Sequence, residues 1–227
     1  MLNKLATKFS LVIGDPQLRR RILFVLFALI AFRLGASIPI PGVNAEALSK
    51  LFSGNQFLNL LNIFSGGGLS NLSILMLGVS PFITASIIMQ LLTMMFPALK
   101  ELYHESGEAG RRTFAQYSRL LTVPLALIQG FGLLSLLNNQ GVLLPITFAE
   151  RLMSVVIVMA GAILLMWLGE LINEYGIGNG LSLLIFAGIV ASIPSSIAQF
   201  VFSFDLSQLP AYVGFAAAAV LVTAGVV

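Results

Sequence analysis

The 227-residue chain contains no cysteine, a single histidine and a single tryptophan, and only 9% of its residues are charged. The absence of cysteine excludes disulfides, thiolate nucleophiles and cysteine-based metal sites. The one histidine, His104, stands among Glu101, Glu105 and Glu108. A metal site wants more than one strong nitrogen or sulfur ligand, so solvated loop charge is the better account of this group. The scarcity of charge excludes more. Soluble domains carry roughly 25% charged residues, whereas this chain is 58% hydrophobic with a mean hydropathy of +0.98. It is therefore read as an integral membrane protein. No alternating ten-residue pattern suggests a barrel, which leaves an all-α polytopic membrane protein.

Apolar runs of about 17 to 25 residues mark membrane spans. Six are found, near residues 22–38, 72–95, 120–137, 152–172, 181–202 and 209–227. The net charge of +3 means little as a total, but its placement is asymmetric. Lys4, Lys8 and Arg19 to Arg21 precede the first run, and Lys100, Arg111, Arg112 and Arg119 lie between the second and third. The positive-inside rule makes the amino terminus and the charged 100–119 loop cytoplasmic. Residues 1–18 space their apolar side chains as an interfacial amphipathic helix. The first run continues past Arg33 without a small-residue cleavage pattern, so it reads as a retained span. Arg33 itself lies near the far end of that span, where a long side chain either snorkels to the interface or serves a function.

Residues 64–96, FSGGGLSNLSILMLGVSPFITASIIMQLLTMMF, do not read as one simple span. Three successive glycines, each costing about 1 kcal/mol relative to alanine inside a helix, predict a bend. The expectation is a short half-helix before or around the glycines, followed by a full helix from Leu72 to Met95. Irregular backbone at membrane depth is tolerated where protein or a water-filled cavity satisfies its polar groups. Either a cavity or a re-entrant loop sealed by its neighbours meets that condition. Further on, Glu170 and Glu174 stand at i, i+4 spacing before Gly176, Gly178 and Gly180. Neither a strand nor a lysine accompanies this glycine-rich turn, so it reads as a compact cytoplasmic hairpin and not as a phosphate cradle.

Several of these stretches carry a family resemblance. LSILMLGVSPFITASIIMQLL (72–92) and WLGELINEYGIGNGLSLLIF (167–186) resemble the two signatures of SecY, the channel subunit of the bacterial Sec translocon. NIFSGGGLS resembles that family's plug, FRLGASIPIPG its first-span ending and GEAGRRTFAQYSR its cytoplasmic loop. The resemblance covers the amino-terminal half of the family, residues 1–203 with five helices, and most of a sixth helix at 204–227.

The resemblance implies a SecY-type half-channel with a re-entrant plug helix at about residues 59–73, including Asn59, Phe64, Gly66, Gly67, Gly68 and Ser70. It places Val79, Ile83, Leu181 and Ile185 on an apolar pore ring, and Gln90, Thr93 and Gln129 on a lateral gate. Both ring pairs are spaced i, i+4 and so share a helix face. Without the family, the same residues read as ordinary packing. Arg111 and Arg112 are expected to meet lipid phosphates or a partner's carboxylates, although positive-inside anchoring explains them equally. The implied function is passage of unfolded secretory chains across, and of membrane segments sideways into, the bacterial cytoplasmic membrane.

Implied partners are SecE and SecG, the SecA motor ATPase, a translating ribosome, signal peptides, nascent chains and membrane lipids. No enzymatic activity, cofactor, metal or direct DNA binding is expected. A secondary transporter would place ionisable residues in its midplane cavity. An intramembrane protease or lipid enzyme would need paired catalytic groups there. The spans hold little besides Arg33 and Glu170, both near ends.

Overall fold

The computed structural model of the protein describes residues 15–55, 58, 61–62, 65–104, 107–144, 147–202 and 209–226. The helix expected over 1–18 lies, except for its last residues, outside these, as do Asn59 and Phe64. The described elements are α1 (Pro16–Ala36), α2 (Ala45–Gly54), α3 (Ser80–Met95), α4 (Pro97–His104), α5 (Gly107–Asn139), α6 (Phe148–Tyr175), α7 (Gly180–Phe202) and α8 (Leu209–Val226). Among the described residues there is no strand, and two isolated antiparallel bridges join Pro39 to Ser73 and Val43 to Leu143. The chain forms two compact units, Met1–Ala191 and Ser192–Val227.

The helix starts follow from local chemistry. Asp15 caps α1, accepting from the Gln17 N–H at 2.9 Å, and Pro16 takes a first-turn position where no intrahelical N–H is lost. Asn44 caps α2 by accepting from the Glu46 and Ala47 amides. Thr147 and Glu150 form a reciprocal capping box at the head of α6, the Thr147 N–H donating to the Glu150 carboxylate at 2.8 Å. Thr147→Ala is expected to cost about 1 kcal/mol, read as roughly five-fold faster hydrogen exchange in the first turn of α6.

Helices occupy all six places where apolar runs were read. Among the described residues, Gly107–Asn139 and Phe148–Tyr175 are long and apolar enough to cross a membrane, and α3 with α4 adds a third if the bent pair is one span. That pair bends by 116° at Phe96, which is extended because the following proline disfavours helical geometry in the residue before it.

Two expectations about boundaries are corrected. The stretch 107–119, read as loop, forms the first three turns of α5. Glu108, Ala109, Arg111, Arg112, Ala115, Gln116 and Arg119 are good helix formers, and Arg112 pairs with Glu108 one turn back at 3.1 Å. With 33 residues α5 is about 50 Å long, more than the roughly 30 Å hydrocarbon core, so its charged turns stand clear of lipid. The second helix, expected from Leu72, begins only at Ser80, and residues 65–79 are a succession of turns. Gly66, Gly67 and Gly78 have φ of +68°, +80° and +59°, and Leu72 has φ of +42°. No α-helix passes through such values.

Within the first unit, α5 packs against α3, α4 and α6, and α1 packs on α6. Two apolar clusters result. One gathers Ile40, Leu69, Leu72, Met76, Leu134, Leu137, Val142 and Val158. The other gathers Ala28, Phe32, Leu75, Val79, Leu165, Ile172 and Leu184. The turned segment 65–79 contributes to both and joins them. In lipid such packing is stabilised by van der Waals contact and close backbone approach more than by water exclusion. The outer faces are correspondingly apolar: Leu23, Phe27, Ile30 and Leu34 form an exposed stripe along α1, as Leu120, Leu127 and Ile128 do on α5. Side chains of this kind suit a hydrocarbon surround.

Six basic groups, Arg19 to Arg21, Arg111, Arg112 and Arg119, gather at one end of this unit. Phe24 of α1 meets Tyr175 of α6 edge to face at 5.9 Å, and Arg119 of α5 pairs with Glu170 of α6 at 2.5 Å. The opposite end is closed by extended residues 38–44. Ile40 N–H donates to Leu72 O, Ile74 N–H to Ile38 O, Asn44 N–H to Val142 O and Leu144 N–H to Gly42 O, all at 2.8 to 3.0 Å.

Candidate functional site

The turned segment is the base of the site. Its backbone satisfies itself through local side chains: Ser70 N–H donates to Asn62 Oδ1 at 2.8 Å, and Leu69 N–H to Ser65 Oγ at 3.0 Å. Ser73 N–H closes a turn onto Gly68 O at 2.8 Å, and Leu75 N–H donates to Ser73 Oγ. Such internal accounting is what irregular backbone needs away from water. The glycine at 66 is required on two counts, its left-handed φ and the Phe32 ring and Gly188 backbone that press against it. Arg33 of α1 reaches the same place and donates from Nη1 to Gly66 O at 3.0 Å.

Beside this segment lies a cavity of about 470 Å³ between α3, α5 and α7. Val79 and Ile83, one helical turn apart, face Ile185 across it; Ser65 and Leu69 come from the turned segment and Gln129 from α5. Val79 and Ile185 also meet in a crevice with Phe32, Leu165 and Leu184 that has no room for water. An apolar wall of this kind disfavours ions and binds an extended chain only weakly.

Three of the four sequence-selected ring residues thus share one cavity. Leu181 does not line it. One turn before Ile185, it packs with the second cluster against the space left by Gly169, where an added Cβ would come within 3.0 Å of it. Among the gate residues, Gln129 reaches the cavity. Gln90 is exposed, nearly two turns beyond Thr84, the last cavity residue of α3, and Thr93, about two and a half turns beyond it, donates its hydroxyl to the Gln90 carbonyl at 2.6 Å. The described plug residues Gly66, Gly67, Gly68 and Ser70 all belong to the turned segment, with Gly66 and Gly68 buried. Arg111 and Arg112 are exposed on the first turns of α5. Glu174 lines a second cleft, near the basic end, with Phe82, Trp167 and the Arg119–Glu170 pair.

Sequence reasoning missed Ser80 and Thr84, which bring hydroxyls to the cavity wall. Thr84 donates to Ser80 O at 3.0 Å. The resemblance that places Val79 and Ile83 on a ring does not include these two, although Ser80 and Thr84 are also spaced i, i+4, one position along. The contact between Arg33 and Gly66 joins residues 33 positions apart, and nothing in the local pattern announces it.

Comparison with known proteins gives consistent matches. The family model described as SecY matches residues 73–227. The protein translocase subunit SecY of Pseudomonas aeruginosa is 48% identical over 188 residues, which cover 82% of this chain and 42% of that protein. Its counterpart in Escherichia coli K12 is 48% identical over 192 residues, 82% of this chain and 43% of that one. The chain therefore spans less than half the length of these two relatives. Among solved structures, Sec61 in the canine ribosome-channel complex from the endoplasmic reticulum aligns with a TM-score of 0.58 at 19% identity, over 79% of this chain and 38% of that one. A structure described as a protein-conducting channel aligns with a TM-score of 0.56 at 21% identity, over the same shares. These two likenesses are likenesses of fold.

Proposed function

The chain belongs to the SecY family, and from that premise we propose that it supplies the amino-terminal part of a protein-conducting channel in the bacterial cytoplasmic membrane. The observation that carries this reading is the cavity in which Val79, Ile83 and Ile185 meet the turned segment 65–79 and Gln129. Val79, Ile83 and Ile185, with Leu181 packed one turn away, form this chain's share of an apolar constriction. Residues 59–73 are the plug that seals it at rest. Gln129 on α5, with Gln90 and Thr93 on α3, belongs to the side through which apolar segments leave for lipid. Interhelical hydrogen bonds there are worth about 0.6 to 2 kcal/mol each, enough to bias closure without preventing opening.

The basic end, with Arg19 to Arg21, Arg111, Arg112 and Arg119, faces the cytoplasm, in keeping with the positive-inside rule, and the amino terminus lies on that side. Arg111 and Arg112 offer bidentate donors to lipid phosphates or to acidic partner surfaces. The energy for transport comes from partners, the SecA ATPase or a translating ribosome, and SecE and SecG complete the channel. The chain itself is not an enzyme.

The test uses the absence of cysteine in this chain. In the full-length protein assembled with SecE, Ile83→Cys is expected to crosslink to a cysteine in a stalled secretory chain, provided that chain carries a functional signal. No crosslink in a complex that assembles and engages the substrate moves the path away from residue 83 and leaves the three residues as packing.

A further inference from the structure

We propose that Arg33 is a positioning residue that fastens the turned segment in its sealed place, through its cationic hydrogen bond to the Gly66 carbonyl. The proposal rests on reading that segment as the plug.

Among the described residues, the other side-chain hydrogen bonds involving residues 65–70 come from Asn62, Ser65 and Ser70, within the same stretch, and move with it. Arg33 stands on α1 instead, 33 positions away, and its bond at 3.0 Å is partly buried. It therefore ties the segment to the body of the fold. At Gly66 the left-handed backbone and the adjoining Phe32 ring exclude a side chain, so the carbonyl is the group by which α1 holds the segment there. A guanidinium suits that task. It stays protonated at any physiological pH, and hydrogen bonds from charged donors are roughly twice as strong as neutral ones.

Release is equally well provided for. Arg33 lies in the last turn of α1, next to the Ser37 turn. When the segment leaves, the long side chain swings to water and headgroup phosphates at the nearby interface. Loss of the carbonyl is thus compensated, and the fastener is reversible. Residues 72–74 remain tied to 38–40 by two backbone bonds, which makes the 65–70 part the portion that Arg33 frees.

The experiment places single cysteines and Arg33 variants in the full-length protein assembled with its partner subunits in lipid vesicles. Two quantities are read at rest: ion leak, and alkylation of Ser70→Cys by a membrane-impermeant maleimide added to the face opposite the basic end. Loss of one charge-assisted bond at a partly exposed site predicts that Arg33→Met raises both by about ten-fold. Arg33→Lys, which keeps charge and a donor, is expected to restore most of the seal. Should Arg33→Met fail to assemble, Arg33→Gln provides the same comparison.

Unchanged leak and alkylation in an assembled Arg33→Met complex overturn the proposal. A loss of thermal stability without a leak that lysine rescues does so too, since that is mere scaffolding. A control separates the two levels of inference. In the wild-type background, engaging a secretory chain should speed alkylation at residue 70. If it does not, the plug reading fails and the fastener with it. If it does while the Arg33 variants behave as wild type, the fastener alone fails.

Discussion

Ile83→Asn, in the full-length protein assembled with its partners, is expected to raise the resting ion leak by ten-fold or more. Ile83 stands one turn from Val79 and faces Ile185 across the cavity. The side chains of Val79, Ile83 and Ile185 offer water no partners, and an apolar constriction excludes ions by favouring the dry state. An amide placed there gives entering water a donor and an acceptor. An unpaired polar group in an apolar site is worth about 1 to 3 kcal/mol, and each 1.4 kcal/mol off a barrier is a factor of ten in rate. Ile83→Val, which trims a methylene and keeps the wall dry, should leak close to the wild-type level. Single-channel or vesicle-flux recording distinguishes these outcomes. A dry, tight Ile83→Asn channel would show that the seal lies elsewhere.

Gly161→Val is expected to destabilise the protein by about 3 kcal/mol, the upper end of the usual cost of overpacking. Gly161 sits mid-way along α6 where the turned segment crosses it. A Cβ there runs into the Ile74 carbonyl and comes within 3.2 Å of Leu75 Cδ2. The neighbour cannot yield cheaply. Ile74 is held by its own N–H bond to Ile38 O at 3.0 Å, and Leu75 is 1% exposed in the second cluster. The valine therefore forces α6 away from the segment and opens the join between the two clusters. A matched control is Gly132→Ala on α5, where an added Cβ meets nothing within 4 Å. That change should be neutral or mildly stabilising, since alanine is the better helix former. Thermal midpoints of the purified complex check both, and equal midpoints for Gly161→Val and wild type would refute the crossing constraint.

The amphiphilic reading of the chain located helices better than it located their ends. Charge at residues 107–119 signals the edge of the membrane and so suggests a loop, yet a helix does not stop where lipid stops. Glu108, Ala109, Arg111 and Arg112 are as content in a solvated turn of α5 as in a loop. The opposite error occurred at residues 72–79. Their apolar character suggested a span, but the left-handed backbone at Leu72 and Gly78 keeps them in turns until Ser80 and Pro81 start α3. Apolarity records burial, which both conformations provide here.

The sequence alone determined the membrane class, the six helical places, the break at the glycine triplet and the family. All four depend on composition, on runs and on short motifs, which are local quantities. It also selected Val79, Ile83 and Ile185, through i, i+4 spacing combined with the resemblance. Only the tertiary structure decided which partners those residues have. It separated Leu181 from the cavity, parted Gln129 from Gln90 and Thr93, and joined Arg33 to Gly66. Each of these depends on how close two helices approach, and that distance is set by a few glycines and by backbone hydrogen bonds between distant segments. Local periodicity carries the direction in which a side chain points along its own helix; what stands opposite is fixed only when the helices have packed.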